Sequence, residues 1–196
     1  MARKSKRRRI RERRRSERRR SYLIWGGIAA VVLAVIGYFV WVNVRPQAGE
    51  SVQVMPSRDH VQEGTDPGPF NTNPPSSGEH YARTLPAGFY TEQQAEQIGE
   101  YPEGYIVHSL EHGYVVFWYN CEATGVTDCG ALQNQIREVM NDFDNFKVIA
   151  FPWTSIEVPV AMTSWGHMLK MEQFDASAAA DFIDRNRFQA PEPNAP

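Results

Sequence analysis

The sequence predicts a small single α+β domain, mainly an antiparallel sheet with two or three helices, held behind one N-terminal transmembrane helix. Three observations predict it. An uncharged run of 23 residues, 22–44, stands near the N-terminus. Beyond it, β-rich runs and helix-spaced apolar residues alternate over roughly 74–188, near the modal length of a domain. Their order, β-β-α-β-β-α, suits a layered α+β arrangement. A thioredoxin-like arrangement is the alternative, because its final strand–strand–helix fits, although the chain has no C-x-x-C.

The first third reads as an address. Residues 1–20 hold 13 basic side chains and two acidic ones, Glu12 and Glu17. That charge density predicts a disordered cytoplasmic segment. The apolar run would extend about 34 Å as a helix, enough for a bilayer core with some tilt. Tyr22 and Trp25 near one end, Tyr38 and Trp41 near the other, stand where interfacial aromatics belong, and Val44 ends the span. A cleaved signal peptide is the alternative, but the run is long and lacks a small-x-small site before polar sequence. Lys/Arg excess on the N-terminal side orients the span with its N-terminus in the cytoplasm and the C-terminal domain outside. The expected partners are the bilayer through 22–44 and anionic inner-leaflet lipids through 3–20.

The rest of the chain carries eight basic against 21 acidic side chains, a net of −13. This excludes a nucleic-acid-binding face on the body, so nucleic acid is not an expected partner. A hydrophobic share of 42% with 12% aromatics excludes a wholly disordered chain. Two cysteines exclude a disulfide-dense miniprotein and a four-cysteine zinc site.

Along the body, residues 45–73 are rich in Pro and Gly and read as a linker or extended arm. Thr91 and Gln94 form a capping box that starts a short helix to about Ile98. Residues 105–110 and 114–119 read as two strands with Gly113 between them. Leu132, Ile136, Val139, Met140 and Phe143 have helical spacing, with Asp128 as N-cap. Residues 148–151 read as a short strand, and 158–171 as a longer one bent or broken at Gly166. Residues 175–187 read as the last helix, and the Pro-rich 189–196 as a loose tail.

Cys121 and Cys129 lie eight residues apart, on the outer side of the membrane by the orientation argument. A structural disulfide is the expected state; a redox pair is the alternative, but the spacing is not that of a thiol-activating C-x-x-C. Closing this loop is worth roughly 2.5 kcal/mol in the chain-entropy model.

All five histidines, His60, His80, His108, His112 and His167, follow the span. His108-Ser-Leu-Glu111-His112 matches the inverted zincin pattern H-x-x-E-H. Strand-like flanks and Gly113 argue against that enzyme. A single turn between strands can still gather His108, Glu111 and His112, donors that suit zinc or copper(II). His80 sits after a stiff Pro-Pro-Ser-Ser-Gly-Glu loop that can place it accurately. The competing reading is that these rings only hydrogen-bond loop carbonyls and carboxylates. If 165–171 is a strand, Trp165, His167, Leu169 and Met171 share a core-like face, so Met171 is packing and His167 is kept as the fourth-ligand candidate.

At these motifs the chain resembles a known family. Residues 74–81 (PPSSGEHY) and 107–113 (VHSLEHG), followed by an aromatic strand, are similar to the signature of an uncharacterised bacterial family, domain of unknown function 3105. The resemblance covers roughly residues 52–185. It implies a single-span, membrane-anchored protein with its domain outside. His80, His108, Glu111, His112 and Gly113 match signature positions, and no activity comes with the match.

The function expected is therefore a membrane-anchored extracytoplasmic domain that binds copper or zinc through His80, His108, Glu111, His112 and His167. The alternatives are a metal-free envelope domain that contacts a protein or wall polymer, and a metal-dependent hydrolase with Glu111 as base.

Overall fold

The computed structural model describes residues 2–195. Helix α1 spans Ala2–Val44. Its segment Arg19–Trp41, of mean hydropathy 2.4 and with nothing buried, is long and apolar enough to cross a membrane. Tyr22, Trp25 and Trp41 are exposed on it, and Val44 is its last residue. The basic run, expected to lack structure, instead continues this helix. Arginine is a good helix former, and an adjoining helix removes the cost of nucleation.

The second unit, Pro46–Pro196, begins with four two-residue strands: β1 (Glu50–Ser51), β2 (His60–Val61), β3 (His80–Tyr81) and β4 (Gly88–Phe89). Helices α2 (Glu92–Glu96) and α3 (Glu103–Glu111) follow, then β5 (Val115–Tyr119), α4 (Cys129–Asp142) and β6 (Val148–Pro152). The chain ends with β7 (Val160–Ser164), β8 (His167–Met171) and α5 (Ala176–Asn186).

Six strands form one sheet in the order β1-β8-β7-β5-β6-β4. The β5–β6 and β6–β4 pairs are parallel and the other three antiparallel. The class is α+β, with a sheet that is antiparallel in most of its pairs. Strands β8-β7-β5-β6, with α4 crossing from β5 to its parallel neighbour and α5 after the β7–β8 hairpin, follow the order and directions of the thioredoxin-like alternative. That likeness concerns topology alone.

Strand β5 is central because its sequence, VVFWY, has no polar face: all five residues are buried. Val115, Phe117 and Tyr119 pack with Ile136 and Met140 of α4 and Phe182 of α5. Val116 and Trp118 face the opposite layer, with Ile106 and Leu110 of α3. The helix starts follow the capping rules read from sequence. Thr91 and Gln94 make the capping box of α2, Asp128 caps α4, and Asp175 accepts from the Ser177 and Ala178 amides to cap α5.

Several expectations are corrected. Residues 105–110 are not a strand; they lie within α3. Pro102 precedes its first turn, and Gly104 packs so close to Tyr81 that an added Cβ would stand 2.5 Å from the ring. Ile106 and Val107 are buried completely, and that burial outweighs their β preference. Helix α3 stops at Gly113, whose φ of +81° suits a glycine ending a helix, and whose N–H donates to Leu110 O. The break expected at Gly166 is present, and it divides 158–171 into two paired strands, β7 and β8. Part of 45–73 is strand as well: β1 pairs with β8, and β2 pairs with β3. The tail beyond 188 is tied down. Glu192 N–H donates to Glu111 O, and the buried Lys147 Nζ donates to the carbonyls of His112, Pro193 and Ala195.

Candidate metal centre

The β2–β3 pair is parallel and in register, His60 opposite His80. Residues opposed in register point to the same face, so two imidazoles from distant sequence share one side of this ribbon. Helix α3 supplies the other half. His108 and Glu111, three residues apart, lie on one helix face. The ligand atoms of His60, His80, His108 and Glu111 all fall within 4.8 Å of one another. Ring centroids are 5.1 Å apart for His60–His80, 5.0 Å for His60–His108 and 4.8 Å for His80–His108. His80, His108 and Glu111 are buried, whereas His60 is exposed.

The ring nitrogens show how the site is poised. His80 Nδ1 lies 2.8 Å from Gly78 O. A carbonyl only accepts, so Nδ1 carries the proton. Burial lowers the pKa of His80, so in the neutral ring Nε2 holds a lone pair. Nε2 stands 3.1 Å from Glu111 Oε2 and has no hydrogen-bond partner. His108 Nδ1 is also buried with no hydrogen-bond partner. Its pKa is lowered to about 4, chiefly by burial and then by the neighbouring His80, His112 and His60. Neutral imidazoles with buried lone pairs and an adjacent carboxylate are what a transition-metal ion requires of its ligands. The Gly78 carbonyl fixes the His80 tautomer as outer-shell acceptors do at metal sites.

Glu111 has a competing partner. The half-exposed Arg58 places Nη1 2.5 Å from Glu111 Oε1 and 3.8 Å from Glu192 Oε1. The carboxylate thus presents one oxygen to a guanidinium and the other to the histidines.

Of the residues anticipated from sequence, His80, His108 and Glu111 are brought together. His112 is adjacent but outside the group. Its ring centroid is 4.4 Å from that of His108, yet as the C-cap of α3 it turns toward the tail, with Nε2 3.8 Å from Glu192 Oε2. His167, at the start of β8, is not brought to the cluster; its Nδ1 lies 3.4 Å from Trp165 O. His60 takes the place foreseen for these two. The signal for it was the pair of dipeptides His60-Val61 and His80-Tyr81, each apolar after histidine, inside a stretch whose prolines and glycines suggested only a linker. Cys121 and Cys129 are disulfide-bonded, with Cα atoms 5.2 Å apart.

No curated protein and no solved structure matches the chain. The family model described as "Protein of unknown function (DUF3105)" matches residues 60–196, a stretch that opens on His60 and contains all four residues of the cluster. The chain therefore belongs to the DUF3105 family.

Proposed function

We propose that this protein is a membrane-anchored, extracytoplasmic metal-binding domain that holds one zinc or copper(II) ion through His60, His80, His108 and Glu111. The observation that carries the reading is the buried Nε2 of His80. Its Nδ1–H donates to Gly78 O, and its Nε2, buried with no hydrogen bond, lies 3.1 Å from Glu111 Oε2. Two electron-rich atoms lie close together there, and a cation bound to both would offset their repulsion. The orphaned His108 Nδ1 supports the same reading. Three imidazoles and one carboxylate suit zinc or copper(II) better than calcium or magnesium, which prefer oxygen.

The anchor in this proposal is α1, with its basic end on anionic lipid of the cytoplasmic leaflet and the domain outside. The hydrolase reading loses ground, because it needs Glu111 free to take a proton, and Arg58 already holds one of its oxygens. The metal-free envelope domain is the second reading. The Arg58–Glu111 ion pair favours it, since a guanidinium supplies positive charge to that carboxylate without any metal.

The test is metal content of the full chain, purified in detergent, incubated with zinc or copper(II) and dialysed. Wild type is expected to retain one equivalent and His80→Ala/His108→Ala to lose it, with circular dichroism confirming that the variant is folded. Equal retention by the two proteins would overturn the proposal.

A further inference from the structure

A second group of metal-ligating side chains lies away from the histidines. The ligand atoms of Glu92, Cys121 and Cys129 are all within 4.8 Å of one another. Each comes from a different element: Glu92 is the first residue of α2, Cys121 follows β5 across Asn120, and Cys129 is the first residue of α4. Gln133, one turn along α4, bridges them. Its Nε2 is 3.3 Å from Cys129 Sγ and 3.2 Å from Glu92 Oε1, while Glu92 Oε1 is 3.8 Å from Cys121 Sγ.

The carboxylate beside the bond belongs to the first turn of α2 and accepts from Gln133 Nε2. Here the sulfurs are only partly buried and Glu92 is exposed. Glu92 also lines an open groove of about 570 Å³ that includes Trp153 and Glu96, so solutes have access to its carboxylate. Cys129 lies at the start of a 14-residue helix, where unpaired N–H groups favour a thiolate. With the bond open, two thiolates and a carboxylate would bring three negative charges to one spot, and a soft cation answers that charge. The backbone already permits it. Two thiolates on one tetrahedral zinc stand about 3.8 Å apart, given Zn–S bonds of about 2.3 Å. A Cα–Cα distance of 5.2 Å allows that spacing by side-chain rotation.

We propose that the Cys121–Cys129 disulfide is the oxidised, closed state of a second metal site, a thiolate site that Glu92 completes once an external thiol reductant opens the bond. In the opening step an external dithiol gives two electrons and two protons to the disulfide. The S–S bond breaks, Cys121 and Cys129 become thiols, and the reductant leaves as its own disulfide. Metal binding then releases the two thiol protons to solvent. The histidine cluster takes no part, so this site stands or falls separately from the function proposed above.

Cobalt(II) is the probe, because thiolate ligation gives a near-ultraviolet charge-transfer band that histidine and carboxylate ligation do not. The full chain in detergent is titrated with cobalt(II), oxidised and after reduction with a phosphine. The reduced wild type is expected to develop the band with the intensity of one thiolate-bound cobalt per chain, reversed by zinc. The oxidised protein and Cys121→Ser/Cys129→Ser are expected to show none. Glu92→Gln is expected to bind about tenfold more weakly with the band retained. The His80→Ala/His108→Ala variant is expected to develop the same band, which separates the two sites. The proposal is overturned if the reduced wild type remains folded by circular dichroism and shows no band, or if the protein unfolds when the bond is opened. Unchanged affinity in Glu92→Gln would overturn the assignment of Glu92.

Discussion

The histidine cluster and the Cys121–Cys129 pair are both gathered from distant sequence, yet they are held in opposite ways. The first is packed: His80 and His108 are buried between the β2–β3 ribbon and α3, and burial keeps their rings neutral. The second is bonded: its sulfurs are only partly buried at a helix start, and a covalent bond stands where packing is thin. The difference teaches what protects a ligand group. Burial protects imidazoles from protons, whereas oxidation masks thiols until they are reduced. One group should therefore respond to pH and the other to reductant.

The largest contrast is expected with pH. In the metal-free protein the folded-state pKa of His108 is about 4, below the 6.5 of the unfolded chain. Between these values the unfolded state binds the extra proton, so stability falls as pH drops from 6.5 toward 4. The loss is on the order of 3 kcal/mol, and His80, also lowered, acts in the same direction. Urea denaturation of the dithiol and the disulfide forms should show the same pH slope. A stability that rises over this interval would mean that His80 is an imidazolium paired with Glu111, and the cluster would then be a salt bridge.

Removing the bonded pair comes next. Cys121→Ser/Cys129→Ser opens a loop with a sequence separation of eight and should cost about 2.5 kcal/mol in the chain-entropy model. Zinc retention at the histidines should be unchanged. If retention is lost as well, the two regions are coupled and the contrast between them fails.

A smaller effect separates packing from ligation. Gly104→Ala would put a methyl group 2.5 Å from the Tyr81 ring, forcing β3 away from α3 at a cost of about 2 kcal/mol. Because β3 carries His80 and α3 carries His108, metal affinity should fall too, while cobalt binding at the reduced cysteines should be preserved. Wild-type affinity would show that the cluster does not depend on this contact.

The smallest expected effect is at Arg58. Its guanidinium shares Glu111 with any bound cation and is half exposed, so screening limits its influence. Arg58→Gln should raise zinc affinity a few-fold, read by competition with a chelating dye. A fall in affinity would make Arg58 an orienting partner of Glu111 instead of a competitor.

How far the sequence reveals these features depends on whether local pattern or distant packing decides. The caps at Thr91, Asp128 and Asp175 are local and are legible residue by residue. Strand β5 is legible because five consecutive large apolar residues fit a position buried on both faces. Residues 105–110 are similar in composition but become a helix, because Gly104 docks on Tyr81, more than twenty residues away in sequence. The same distance hides His60, which joins the site through a bridge of two residues on each side, too short to leave a periodic signal. His112 had the helical spacing of a ligand, but the helix ends one residue before it and its ring follows the chain out of the last turn. The tail looked loose because its composition is Pro-rich. What holds it is the buried Lys147, whose Nζ reaches three carbonyls, together with the Glu192 N–H on Glu111 O.

X-ray absorption at the metal edge of the zinc-loaded, oxidised full chain tests the central claim most directly. The account predicts one shell of nitrogen and oxygen at about 2.0–2.1 Å, outer-shell scattering from three imidazoles, and no sulfur. A sulfur shell, or scattering from fewer than two imidazoles, would contradict it.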